Sequence, residues 1–391
     1  METYEQKYIK YKEKYINLKI LIGRGNNNQQ NDHVEITIIN MAGEPEKIII
    51  PRNEKIYEFR KRLANMTKIP VYNITLLRDK EVLEGIEPIY TDGLEDITLV
   101  KINTEPNFTF SAGRYLSGMI RNRRVICQGS TDWGSLKRIP KLEPNETFTM
   151  ISVGSYHMAA ITSNGRAVCW GKDMYGQISN IPNLELDETF IMISVGGEHT
   201  AAITSNGRAV CWGYDASGQV SRIPELEPNE TFTMISAGDG HTATITSKGR
   251  AVCWGNNDSR QVSGIPKLEP NETFTMISAG LDITAAITSK GRAVCWGYFD
   301  HRENLDIYIP ELEPGEFFTM ISAGIYHISA LTSYGRAISW GDNTSNQLRD
   351  IPKLEPDEYY TMIYSGYWHT VAIKSFGSLN RNSRNVFWGN A

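Results

Sequence analysis

The chain has 391 residues, a formal charge of −5, and 40% hydrophobic and 22% charged residues. That length predicts two or three domains, and that composition excludes a disordered polymer. No apolar run nears the ~20 residues that span a bilayer, the charged N-terminus METYEQKYIK excludes a secretory h-region, and the acidic balance argues against a nucleic-acid backbone binder.

Residues 1–25 place Tyr4, Tyr8, Tyr11, Tyr15, Leu18 and Ile22 at a 4-3-4-3-4 spacing. This predicts an amphipathic helix with lysines along its sides, suited to docking onto a domain or weak self-association rather than to a membrane. Residues 26–33 (NNNQQND and His33) read as a polar linker. Residues 34–102 predict a hairpin from Val34–Asn40 and Lys47–Ile50, then a helix over Glu54–Met66 with Ile56, Phe59, Leu63 and Met66 on one side. Strands follow at Ile74–Leu77, Lys80–Leu83 and Asp96–Ile102. This order, with Ile69-Pro70, Leu76-Leu77, Leu83-Glu84 and Ile97-Thr98-Leu99-Val100 in place, resembles the α+β ubiquitin (β-grasp) fold. The resemblance implies an exposed hydrophobic recognition patch at Met41, Leu77 and Val100. The alternative is that these residues pack internally or against the rest of the chain. No Gly-Gly follows the last strand at Asn103-Thr104-Glu105-Pro106, so a conjugated tag is not expected. The Tyr/Lys-rich run from Lys7 to Lys19 resembles leaders of giant amoebal DNA virus proteins.

From about residue 105 the chain repeats. Cys127, Cys169, Cys211, Cys253 and Cys295 lie 42 residues apart, and Trp170, Trp212, Trp254 and Trp296 keep the same period. Gly165-Arg166-Ala167-Val168-Cys169-Trp170-Gly171 recurs from Gly207, Gly249 and Gly291, and as Gly335-Arg336-Ala337-Ile338-Ser339-Trp340-Gly341. A degenerate first copy ends at Gly129 and a seventh at Gly389, so seven units fill residues 105–391. Within one unit, Thr189–Val195, His199–Thr204 and Arg208–Trp212 read as strands, and Gln219-Val220-Ser221 can form a short fourth. Four strands per ~42 residues is propeller arithmetic. The pattern S-[AV]-G-x-x-H…T-S-x-G-R-A-V-x-x-W-G…G-Q-[IV] resembles the RCC1 repeat (regulator of chromosome condensation), which implies a seven-bladed β-propeller. The fold class is therefore mainly β, with a small α+β module in front.

The Cys share one strand position, where a small buried residue beside the Trp is expected rather than a disulfide. His157, His199, His241, His327 and His369 share another. A structural His near the Gly turn, bonding backbone, is expected rather than a metal, because Leu116 and Ile283 interrupt the set. The Asn-Glu-Thr sequons at Asn145, Asn229 and Asn271 are repeat residues, and no modification is expected there.

Strand alternation puts the loop after S-[AV]-G and the loop after Trp-Gly on one face, and these are the segments that vary between repeats. Candidate partner-binding residues on that face are Trp133, Tyr156, Tyr175, Tyr214, Tyr298, Phe299, Tyr326, Tyr367 and Trp368. The other face is uniform. There Glu185, Glu227, Glu269, Glu313 and Glu355 are expected to pair with Arg166, Arg208, Arg250, Arg292 and Arg336 between blades. No P-loop, ordered Ser/His/Asp set or paired carboxylates stand outside the repeat, so neither enzyme, cofactor nor metal is expected. The reading is a non-catalytic scaffold for protein partners in the cytoplasm or nucleus. The resemblances add ubiquitin-pathway proteins, or a small GTPase subject to nucleotide exchange, as partner classes.

Overall fold

The computed structural model describes residues 18–22, 33–39, 45–51, 54–78, 81–83, 97–100 and 108–389, apart from 115, 122, 130–138, 299–308, 345, 350, 357 and 377–383. The N-terminal part contains β1 (Leu18–Ile22), β2 (His33–Ile39), β3 (Pro45–Pro51), α1 (Ile56–Thr67), a 3-10 turn (Val71–Asn73), β4 (Thr75–Arg78), β5 (Glu81–Leu83) and β6 (Ile97–Val100). The six strands form one antiparallel sheet in the order β3-β2-β1-β6-β4-β5. Ile56, Phe59 and Leu63 of α1 are buried, as their spacing predicts. Lys68 ends the helix in a left-handed conformation (φ 58°), two residues before Pro70.

One expectation changes here. Leu18–Ile22 lies within the segment read as a helix, but it is a strand seated between the hairpin and β6. The sequence Leu-Lys-Ile-Leu-Ile fits a period of two as well as a heptad, and a partner on each side satisfies its backbone. The remainder of the expected helix lies outside the described residues.

Seven three-stranded sheets follow, one per repeat. Their inner strands are Phe108–Ala112, Phe148–Val153, Phe190–Val195, Phe232–Ala237, Phe274–Ala279, Phe318–Ala323 and Glu358–Ser365, in blades 1 to 7. The expected fourth strand is absent from the described residues. Gln219-Val220 instead forms a turn, because Asp215 Oδ1 accepts the N–H groups of Val220 (2.8 Å) and Ser221 (3.0 Å).

The inner strand of each of blades 2 to 7 carries a register irregularity after its first or third residue. This bulge lets residues three and two apart share one side. Phe190, Ile193 and Val195 face Ala159 and Ile161 of the preceding blade. Met192 and Ser194 face the following one: Ala237 N–H donates to Ser194 Oγ (2.9 Å) and Ile235 N–H to Met192 Sδ (3.3 Å). Each junction is thus its own apolar core, closed in blades 2 to 6 by a Phe–Trp pair such as Phe190–Trp212 at 6.1 Å and in blade 7 by Tyr360–Trp388. The inner strands surround an axial channel of about 290 Å³.

Candidate interaction face

In each of blades 2 to 6 the two variable loops touch through one backbone bond. Lys172 N–H donates to Tyr156 O (3.0 Å), Tyr214 to Glu198 (2.9 Å), Asn256 to Gly240 (2.9 Å), Tyr298 to Asp282 (2.9 Å) and Asp342 to Tyr326 (2.7 Å). Both loops therefore lie on one face. Their variation is bounded by a fixed frame. Asp173, Asp215, Asn257 and Asn343 cap the backbone five residues on. Burial opposes ionisation of Asp173, and the N–H groups of Ile178 and Ser179 outweigh it, holding the carboxyl below its usual range. The buried side-chain oxygens of Gln177, Gln219 and Gln261 accept the N–H two residues back. Only the positions between these anchors are free to differ.

The candidate residues separate into two groups. Tyr175 and Tyr214 meet across blades 2 and 3 with ring centroids 4.6 Å apart. Tyr175 is 40% exposed and neighbouring Met174 63%, so this pair forms an apolar ridge in solvent. Tyr298 stands 49% exposed on blade 5, and Tyr326 is half-buried on blade 6.

The second group surrounds the axis. From blade 1 to blade 5 the N–H after the turn glycine donates to the turn glycine of the next blade, as Gly197 does to Gly238 (3.1 Å) and Asp239 to Gly280 (3.0 Å). A Cβ on Gly196 would lie 2.2 Å from Gly238 O, so this ring tolerates only glycine. Tyr367 crosses it. Its hydroxyl donates to Asp239 Oδ1 on blade 4 (2.5 Å) and lies 2.6 Å from Ser155 Oγ on blade 2. Beneath it lies a mouth cavity of about 70 Å³. Burial first, and the Asp239 charge second, push the Tyr367 phenol well above its ordinary range, so it stays a donor.

Arg114 stacks over Tyr367 (4.9 Å) and Trp368 (5.5 Å) and donates to Tyr156 OH (3.0 Å). Lys172 Nζ lies 4.6 Å from the Tyr156 ring centre. Tyr156, Tyr367 and Trp368, three of the candidate partner-binding residues, are half-buried and meet at Arg114 where blades 1, 2 and 7 join. Sequence reasoning missed Arg114. Its signal is positional: it occupies the site of Ser155, Gly197, Asp239, Leu281 and Ile325. Trp133, Phe299 and Met41 lie outside the described residues. Leu77 pairs with Thr98 and Val100 with Thr75, so both have the sheet parity opposite to buried Leu76, and their side chains are outside the described set.

The buried histidines bond the next blade's hydroxyl, not backbone. His157 Nε2 lies 2.7 Å from Thr200 Oγ1, His199 3.0 Å from Thr242, His241 2.9 Å from Thr284, His327 2.9 Å from Thr370 and His369 3.4 Å from Ser117. Thr200, Thr242 and Thr284 donate onward to the carbonyls of Gln177, Gln219 and Gln261, so there the histidine supplies the Nε2 proton. Burial lowers the ring pKa to about 3 in His157, His241 and His327 and about 4 in His199 and His369. The five thiols are free, and burial raises Cys127 to about 11 and Cys169 and Cys253 to about 12. None is an ionised nucleophile at neutral pH.

The uniform face pairs differently from expectation. Arg166, Arg208, Arg250, Arg292 and Arg336 each fork onto the second glutamate of their own blade's leading loop: Glu146, Glu188, Glu230, Glu272 and Glu316. The turn explains the choice. Asn145, Asp187, Asn229 and Asn271 are left-handed (φ 61° to 67°), which folds the second glutamate back beneath the arginine. Glu185 reaches only the outer edge of Arg208, at 3.9 Å. The Arg bonds lower Glu146, Glu188, Glu230 and Glu272 to about 2. The sequons are thus a left-handed turn residue followed by an ion-pair carboxylate.

A family model described as the regulator of chromosome condensation (RCC1) repeat matches residues 149–177, 191–219 and 233–261, the cores of blades 2 to 4. No curated protein sequence matches significantly. Among solved structures, the CRINKLY WD40 ectodomain of the Arabidopsis thaliana receptor kinase ACR4 is 20% identical, with a TM-score of 0.57 over 72% of this chain and 94% of that one. Prp20p of Saccharomyces cerevisiae, described with its binding to Gsp1p and histones, is 16% identical, with a TM-score of 0.55 over 83% and 95%. Yeast RCC1 (Prp20) bound to Kap60 gives 16% identity and a TM-score of 0.54 over 75% and 87%. The chain carries RCC1 repeats on a seven-bladed propeller, a fold it shares with these proteins.

Proposed function

We propose that the protein is a non-catalytic interaction scaffold of the cytoplasm or nucleus that binds a protein partner through the variable loop face. The observation that carries this is the ridge of exposed Met174 and Tyr175 packed on half-buried Tyr214, on the same loop face as exposed Tyr298. Exposed aromatics on a preorganised surface supply large contact area at low entropic cost. The test is affinity capture from the native host with the full chain and with Tyr175→Ala/Tyr214→Ala. Loss of the same identified protein by tenfold or more supports the ridge, and equal capture by a folded variant overturns it.

A second reading is a regulator of a small GTPase. It is favoured by the likeness to Prp20p, a protein described as binding Gsp1p. A nucleotide-release assay against a panel of small GTPases decides it, and no acceleration removes it. The N-terminal module is read as ubiquitin-like from its hairpin–helix–strand order, with β1 as an addition, and as a link to ubiquitin-pathway partners through Met41, Leu77 and Val100. Unchanged binding of ubiquitin receptors to Leu77→Ala would reject that link. The Tyr/Lys-rich leader supports an origin in a giant DNA virus.

A further inference from the structure

The uniform face departs from the repeat at blades 6 and 7. Its turn residue is Asn145, Asp187, Asn229 and Asn271 in blades 2 to 5 and Asp357 in blade 7, but Gly315 in blade 6. The residue before the inner strand's Phe is Thr147, Thr189, Thr231 and Thr273 in blades 2 to 5, but Phe317 in blade 6 and Tyr359, before Tyr360, in blade 7. The residue between the middle and outer strands is Asn164, Asn206, Lys248 and Lys290 in blades 2 to 5, but Tyr334 in blade 6 and Phe376 in blade 7.

The three blade 6 residues meet the α1 segment. Asn65 Nδ2 donates to Tyr334 OH (2.7 Å), and Lys61 Nζ lies 5.4 Å from the centre of the Tyr334 ring. Lys68 Nζ lies 5.5 Å from the Phe317 ring centre. A Cβ on Gly315 would come within 2.6 Å of Asn65 Nδ2. Conformation does not require this glycine, because Asn145, Asn229 and Asn271 hold the same left-handed turn. Space for Asn65 does.

Two further bonds complete the contact: Val71 N–H to Ser333 O (2.9 Å) and Tyr72 OH to Thr319 Oγ1 (3.0 Å). Tyr72 is half-buried, and the desolvation of its phenol pushes it up to about 12. The acceptors of these two bonds recur in other blades: Ser163, Ser205, Ser247 and Ser289 match Ser333, and Thr149, Thr233 and Thr275 match Thr319. The choice of blade therefore rests on Gly315, found at this turn in blade 6 alone of blades 2 to 7, and on Phe317 and Tyr334, which set it apart from blades 2 to 5.

We propose that the uniform edge of blade 6 is a seat for the chain's own residues 61–72, and that Gly315, Phe317 and Tyr334 diverged from the repeat to make it. Seated there, the N-terminal module and the propeller form one rigid unit, and outside partners are excluded from that edge. This stands independently of the reading of the opposite face.

The test uses the full chain carrying Gly315→Asn, Phe317→Thr and Tyr334→Asn, the residues that blade 2 carries as Asn145, Thr147 and Asn164. A second variant, Asn65→Ala/Lys68→Ala, leaves the propeller untouched. Both should enlarge the radius of gyration in small-angle scattering and speed hydrogen exchange at Val71 N–H by roughly tenfold or more, with blade strands still protected. Unchanged scattering and unchanged Val71 exchange in the second variant would overturn the proposal. So would wild-type Val71 protection that rises with protein concentration, since that would place the contact between chains.

Discussion

The histidines show how a single residue type is explained by its partner in another repeat. Where a blade has His, the next blade supplies a hydroxyl at the following position; where it has Leu116 or Ile283, the next blade supplies Met158 or Ile328. Ile283 and Ile328 share one apolar core. The histidine Nε2 thus meets a hydroxyl and not an apolar wall at these junctions, where an unpaired donor would cost about 1–3 kcal/mol. The ring pKa values lie below the ordinary 6.5, so the unfolded chain binds more protons between that value and about 3–4. Histidine-derived stability is complete above pH 6.5 and is lost as pH falls toward 4. The glutamates held at about 2 withdraw theirs separately, below 4.5. A melting-temperature profile should therefore fall in two stages. His199→Ile/Thr242→Ile, which copies the Ile283–Ile328 junction, should lessen the first stage by one proton and leave the second unchanged. An unaltered first stage would show that His199 is not part of it.

Among the elements, the junction between blades 7 and 1 differs from its neighbours. Tyr364 stands where the other six inner strands carry a serine that accepts the next blade's N–H, as Ser194 does from Ala237. Its apolar core is small: Val371 and Ile373 pack with Ala112, Met119, Met362 and Tyr364. Arg114, Tyr367 and Trp368 close this junction from the variable face. Arg114→Ala should lower stability by about 1–2 kcal/mol through lost cation–π and hydrogen-bond contacts. Hydrogen exchange should accelerate first in the Phe108–Ala112 and His369–Phe376 strands. Equal acceleration in all blades would deny the closing role. The element level also marks how far the sequence could be read. The strands, helix α1 and seven repeats were legible because each follows a local period. Leu18–Ile22 was not, because its pattern satisfies two periods and only its neighbours choose between them.

At the scale of the molecule, the variable face was legible from alternation of strand direction, but its division into an exposed ridge and an axial plug was not. Tyr367 and Tyr175 are equivalent as exposed-loop aromatics in sequence. Ring closure alone brings Tyr367 to Asp239, 128 residues away. The uniform face was misread for a related reason: two glutamates follow each proline-containing linker, and only the left-handed turn says which one meets the arginine.

The pairing of His with Thr across junctions also bears on copy number. Blades 3 and 4 both present His to the next blade and Thr to the previous one. Loss or duplication of 42 residues at blade 3 would join His157 to Thr242 without mismatch. Removal of blade 5 would instead set His241 against Ile328. Gene-level gain or loss of a repeat is therefore chemically silent in one arc of the ring and penalised in another, so the two arcs are open to different histories.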